Sequence, residues 1–68
     1  MTTTMSEDLE RMVDGATLRT VLRALEGICQ EKSEFIRANW QDETLAMAWR
    51  HAARRLNATV EVIGKLGI

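Results

Sequence analysis

The stretch RANWQDET, residues Arg37–Thr44, decides whether this chain is one long rod or a folded pair of helices. Upstream of it, Leu18, Val21, Leu22, Leu25, Ile28, Cys29, Phe35 and Ile36 recur in steps of three and four, the signature of one apolar stripe on a helix. Downstream, Leu45, Ala48, Trp49, Ala52, Leu56, Val60 and Ile63 repeat the pattern. Within the stretch itself Trp40 is the single large apolar group, so the stripe is interrupted there.

The interruption carries its own turn chemistry. Asn39 and Asp42 are short acceptors suited to the free amides of a first helical turn, and Asn39 also tolerates the left-handed conformation that closes a helix. Glu43 adds negative charge where the dipole of a following helix is positive. These signals predict an all-α chain, an antiparallel helical hairpin with helices at about 15–38 and 42–65. The rival is one continuous helix, because the heptad phase survives from Leu18 to Ile63 and neither proline nor glycine falls between Ile28 and Ile63.

Charge favours the hairpin. Residues 1–43 carry a net −4 and residues 44–68 a net +3, within a total of −1. Folding at residues 39–42 brings residue i near residue 81−i, which predicts Arg50 beside Glu31, Arg54 and Arg55 beside Glu26, and Glu61 beside Arg19 or Arg23. Each exposed pair contributes only ~0.2–1 kcal/mol, yet several of the right sign favour one register over others.

Ahead of the hairpin, Thr4 and Glu7 have capping-box spacing, Leu9, Met12 and Val13 share one face, and Gly15 is a natural stop. This predicts a short helix over 5–13, with Asp14 capping a helix that begins at Ala16. Residues 1–3 are expected to be disordered and 64–68 to fray, leaving 1–68 as a single helical-hairpin domain.

A chain of 68 residues buries only ~60% of its unfolded surface and needs a staple. One cysteine, Cys29, excludes an intrachain disulfide, and with one histidine it is too poor a ligand set for a closed zinc site. Association remains, and two hairpins paired as a homodimeric four-helix bundle would cover the wide apolar stripes. A polar residue such as Lys32 or Asn39 in the seam would fix its register.

The composition is that of a folded globular chain, with 46% hydrophobic and 28% charged residues. No segment reads as a signal peptide or membrane span, so a cytoplasmic location is the default and no membrane partner is expected.

No Ser/His/Asp grouping, glycine-rich phosphate loop or cofactor motif is present, so neither an enzyme nor a cofactor-binding protein is expected. His51 lacks the glutamate three residues earlier that di-metal bundles use, since position 48 is alanine. Cys29 lies on the apolar stripe and reads as core.

Two surface constellations stand out. Trp40, flanked by Arg37 and Gln41, has the composition of a protein-binding hot spot, unless its ring folds over the hairpin end onto Phe35, Ile36 or Leu45. Arg50, His51, Arg54 and Arg55 form two adjacent rows on one helix, suited to nucleic-acid phosphates or to pairing with Glu26 and Glu31. Trp49 falls on the stripe and reads as core or dimer seam.

The sequence therefore predicts a non-enzymatic protein-protein interaction protein, a regulator or adaptor whose partners are itself and another protein. The alternative is an RNA- or DNA-binding regulator that uses Arg50, His51, Arg54 and Arg55.

Overall fold

In the computed structural model, which describes residues 4–68, the chain forms three helices and, among the described residues, no strand. Helix α1 spans Met5–Gly15, α2 Leu18–Asn39 and α3 Glu43–Leu66. The expectation for residues 1–3 lies outside the described residues.

Local capping sets each boundary. Thr4 and Glu7 form the reciprocal capping box, with the Glu7 amide donating to Thr4 Oγ1 at 3.1 Å. Helix α1 runs to Gly15, so Asp14 stays inside its last turn and is not the cap of α2. That role falls to Thr17, which is extended (φ −157°) and accepts from the Thr20 amide at 3.0 Å.

At the hairpin turn Asp42 caps α3 as its side chain predicts, accepting from the Leu45 amide at 3.0 Å. The left-handed residue, however, is Gln41 (φ 56°) and not Asn39. Asn39 completes α2 and donates its side-chain amide to Phe35 O, while the Trp40 and Gln41 amides both donate to Ile36 O at 2.9 Å. The continuous helix is thereby excluded.

Helix α3 runs through Leu66 and is closed by Gly67 in the left-handed conformation (φ 79°). The Ile68 backbone oxygen accepts from the Arg19 amide at 3.3 Å, joining the end of α3 to the first turn of α2. The Arg19 side chain lies against Gly64, near the negative end of the α3 dipole, and among the described residues it makes no ion pair with Glu61.

Helices α2 and α3 run antiparallel, with Ser33 against Ala46 near the turn and Arg19 against Gly64 at the far end. The seam on α3 is Ala46, Ala53 and Val60, one heptad apart and at most 2% exposed. It faces Cys29, Ser33 and Ile36 of α2, all buried. These side chains are mostly small, which lets the helices approach until Ser33 Oγ donates to Ala46 O at 2.8 Å.

This seam is offset by one position from the stripe that the sequence suggests for α3. Of that stripe only Val60 is fully buried, while Trp49, Ala52, Leu56 and Ile63 are half-buried and Leu45 and Ala48 are exposed. The apolar stripe thus points largely outward, beside the hairpin contact rather than into it.

The result is a single layer, 38 × 36 × 13 Å between Cα extremes. Its radius of gyration of 14.1 Å exceeds the ~11 Å expected of a compact 68-residue domain. Helix α1 adds breadth and no depth, for it buries none of its residues.

Candidate interaction surface: an apolar face with an aromatic hollow

Because the hairpin is one layer, its two broad faces are both surface, and helical geometry assigns them opposite chemistry. One face collects Leu18, Val21, Leu25, Ile28 and Phe35 from α2 with Leu45, Trp49, Ala52, Leu56 and Ile63 from α3. The other collects Glu26, Gln30 and Glu34 with Arg50, Arg54 and Asn57.

On the apolar face, Leu25, Ile28, Phe35 and Leu45 are each 38% exposed or more. Near the turn this face sinks into a hollow of about 580 Å³ lined by Glu31, Lys32, Phe35, Ile36, Trp40, Leu45 and Trp49. All three aromatic residues of the chain therefore meet in one place.

Their arrangement follows from the turn. Asp42 starts α3 so that Leu45 and Trp49, one turn apart, rise beside Ile36 and Lys32 of α2. Trp40, the last position before the left-handed Gln41, swings its ring to 6.2 Å from that of Phe35 at a tilt of 55°. That distance and tilt suit aromatic pairing, yet Trp40 remains 65% exposed. Lys32 Nζ stands 5.8 Å from the Trp49 ring centroid, a cation–π contact that keeps the ammonium at the edge of the hollow.

Of the residues grouped around Trp40 in the sequence, the turn sends each a separate way. Arg37 pairs with Glu43 across the turn at 3.5 Å, and Gln41 serves as the left-handed hinge of the backbone. Trp40 alone joins the hollow. The Trp40 ring folds towards Phe35, in the hollow with Ile36 and Leu45, which is the alternative placement the sequence offers. Trp49 and Lys32 join them, and these two are missed in the sequence because residues 32 and 49 meet only once the register is known.

The basic rows also separate. Arg50 and Arg54 line a shallow groove of about 300 Å³ that also holds Glu26 and Glu34, while His51 and Arg55 are exposed on the outer edge of α3. The expected cross-hairpin ion pairs do not form among the described residues, where the two pairs present are Arg11–Asp8 and Arg37–Glu43. Arg50 shares its groove with Glu26 and Glu34, whereas Glu31 lies on the opposite, apolar side. The antiparallel register is held by small-residue packing instead of charge.

Among the described residues no three His, Cys, Asp or Glu side chains gather as a metal-ligand group, and no helix is long and apolar enough to cross a membrane. Comparison with protein-family models, with curated proteins and with solved structures finds no match to this chain.

Proposed function

We propose that this chain is a non-enzymatic interaction protein that works as a homodimer, two hairpins pairing through their apolar faces into a four-helix bundle. The supporting observation is the one-layer form, 13 Å thick, with its large apolar side chains displayed on one broad face. A stable domain packs two layers around a core, and here the second layer is missing from the chain itself.

The dimensions are suitable. A face two helices wide and about 33 Å long covers some 700 Å², close to the ~800 Å² per partner of a standard stable interface. In such a bundle the polar faces stay outward with Arg37 and Gln41 of the turn, which is where a regulator or adaptor would meet another protein, while Trp40 stays with the apolar face.

Sedimentation equilibrium at micromolar concentration tests the first step. The expected mass is twice 7.7 kDa, falling to the chain mass in a Leu25→Glu/Ile28→Glu variant that keeps its helical circular dichroism. A monomeric wild-type chain at those concentrations removes the reading. For the second step, pull-downs with wild-type and Arg37→Glu bait compare capture of the same protein. Equal capture would exclude the turn as the docking point.

The nucleic-acid reading has the weaker support, because Arg50 and Arg54 share their groove with two carboxylates and the chain carries a net charge of −1.

A further inference from the structure

We propose that the aromatic hollow is a binding site for a small amphiphile with an apolar body and a single anionic head, the body lying among Phe35, Trp40, Leu45 and Trp49 and the head paired with the Lys32 ammonium. The site is complete within one chain and stands independently of the dimer. In the paired form it would lie between the helices of the bundle, a common place for small-molecule sites.

Size and lining describe the body of the ligand. The hollow of about 580 Å³ falls within the ~300–1,000 Å³ of small-ligand clefts, and five of its seven lining residues are apolar. Phe35 and Trp40 are 49% and 65% exposed, so the hairpin itself leaves much of both rings uncovered. From Lys32 to the cap residue Trp40 the chain advances about 12 Å along α2, which suits an apolar chain of roughly eight to ten carbons.

Charge describes the head. Lys32 is the charged member of the otherwise apolar α2 row Leu25, Ile28, Lys32, Phe35. It makes no ion pair among the described residues, although Glu31 lines the same hollow. Its Nζ stands 5.8 Å from the Trp49 ring centroid, so the ring holds the ammonium beside the lining instead of leaving it to extend into solvent. There it offers an anion a charge-assisted hydrogen bond.

The same contact disfavours a cation. Three aromatic rings beside a carboxylate have the composition of a cage for a quaternary ammonium, but here the Trp49 ring already carries Lys32. A cationic ligand would meet a like charge at the ring it needs.

Both tryptophans of the chain line the hollow, so their fluorescence reports occupancy without a label. Titrations with decanoate and decyltrimethylammonium compare two heads on one body. Decanoate is expected to shift the emission with a dissociation constant on the order of tens of micromolar, the affinity of about eight buried methylenes, and the cation to bind more weakly. Lys32→Glu should weaken decanoate about 10-fold and favour the cation, whereas Lys65→Glu, with the same change in net charge, should alter neither. Glu31→Gln, which removes the one carboxylate of the lining, should strengthen decanoate. Equal decanoate affinity in the two lysine variants, or a wild-type preference for the ammonium, would overturn the anionic head. No binding of either amphiphile, by emission or by calorimetry, would overturn the site. Vesicles of phosphatidylglycerol separate a free ligand from a lipid surface: cosedimentation with them while decanoate leaves the emission unchanged would place Lys32 at a membrane surface and overturn the hollow as the seat. A chain that sediments as a monomer yet binds decanoate in this way would remove the dimer and retain the site.

Discussion

Ser33 Oγ donates a 2.8 Å hydrogen bond to the carbonyl oxygen of Ala46, joining the two helices of the hairpin inside a seam of otherwise apolar side chains. Ser33 is 2% exposed, and no buried side-chain nitrogen or oxygen among the described residues lacks a partner. The bond gives the seam direction, because only one register sets this hydroxyl against that carbonyl. Ser33→Ala should cost about 0.5–1.5 kcal/mol and lower the thermal midpoint by several degrees. Ser33→Leu should cost more, since Ala46 leaves no room for the added volume. Thermal melts followed by circular dichroism give both values, and a Ser33→Leu variant as stable as wild type would contradict the close packing of the seam.

Gly27 lies inside α2, and a Cβ built there meets nothing within 4 Å. Its position is on the outer side of the helix, away from the apolar face. Gly27→Ala should therefore stabilise the protein by about 0.5–1 kcal/mol through helix propensity and reduced unfolded-state freedom, and leave self-association unchanged. Urea denaturation reads the stability change. A loss of stability would mean that something packs where the isolated chain is open.

Gln41 holds φ at 56°, a conformation that costs a residue with a Cβ about 1–2 kcal/mol. Gln41→Gly should recover part of that, for a net gain below about 1 kcal/mol after the extra freedom of the unfolded chain is counted, whereas Gln41→Val should be destabilising. Asp42→Ala, which removes the cap on the Leu45 amide, should cost about 0.5–2 kcal/mol. Chemical denaturation of the three variants measures these changes, and equal stability of Gln41→Val and Gln41→Gly would show that the turn is not held as described.

What the sequence makes legible here is set by how local each signal is. Thr4 with Glu7, and Asp42 three residues before Leu45, are read correctly because a cap needs only its own turn. Choosing Gln41 over Asn39 as the left-handed residue is harder, since Asn39 has the better intrinsic tolerance but gains a bond to Phe35 O by staying helical. The one-position offset of the seam has a physical reason. The largest apolar residues of α3 mark the stripe most strongly, yet the closest helix contact is made by the smallest, Ala46 and Ala53, and the large ones are displaced to the adjacent face. The same displacement brings Trp49 and Lys32 to the hollow beside Trp40 and Phe35, which linear spacing could not reveal, whereas the folding of Trp40 onto Phe35 joins near neighbours and is offered by the sequence.

Trp40 separates folding from association. At 65% exposure in the single chain, its truncation to alanine should change the stability of an isolated hairpin little. If the hollow is the seat of a second copy, Trp40→Ala removes a large aromatic from the interface and should weaken self-association by about 10- to 30-fold, in the range of a hot-spot residue. Trp40→Phe should restore most of it. A concentration series in sedimentation velocity measures the change, and an unaltered dissociation constant for Trp40→Ala would remove Trp40 from the interface.

Arg50 and Arg54 provide the opposite control, because they lie on the polar face, in the groove with Glu26 and Glu34. Reversing both charges there, in Arg50→Glu/Arg54→Glu, should leave the dimer mass unchanged if association uses only the apolar face. The pair is also the most direct test of the nucleic-acid alternative. Phosphate contacts release counterions, so true binding would be tight at low salt, would fall steeply as salt rises, and would be abolished in the double variant. Here the two carboxylates sharing the groove reduce its positive potential, and His51 and Arg55 stand on a different edge of the helix, so the four groups do not present one continuous basic strip. The expected outcome is little retention of RNA or DNA by the wild-type chain even at low salt, and no difference in the variant. Salt-sensitive retention lost in the variant would instead assign the polar face, in both copies of the bundle, to nucleic acid, with the apolar face serving to hold the two strips in one assembly.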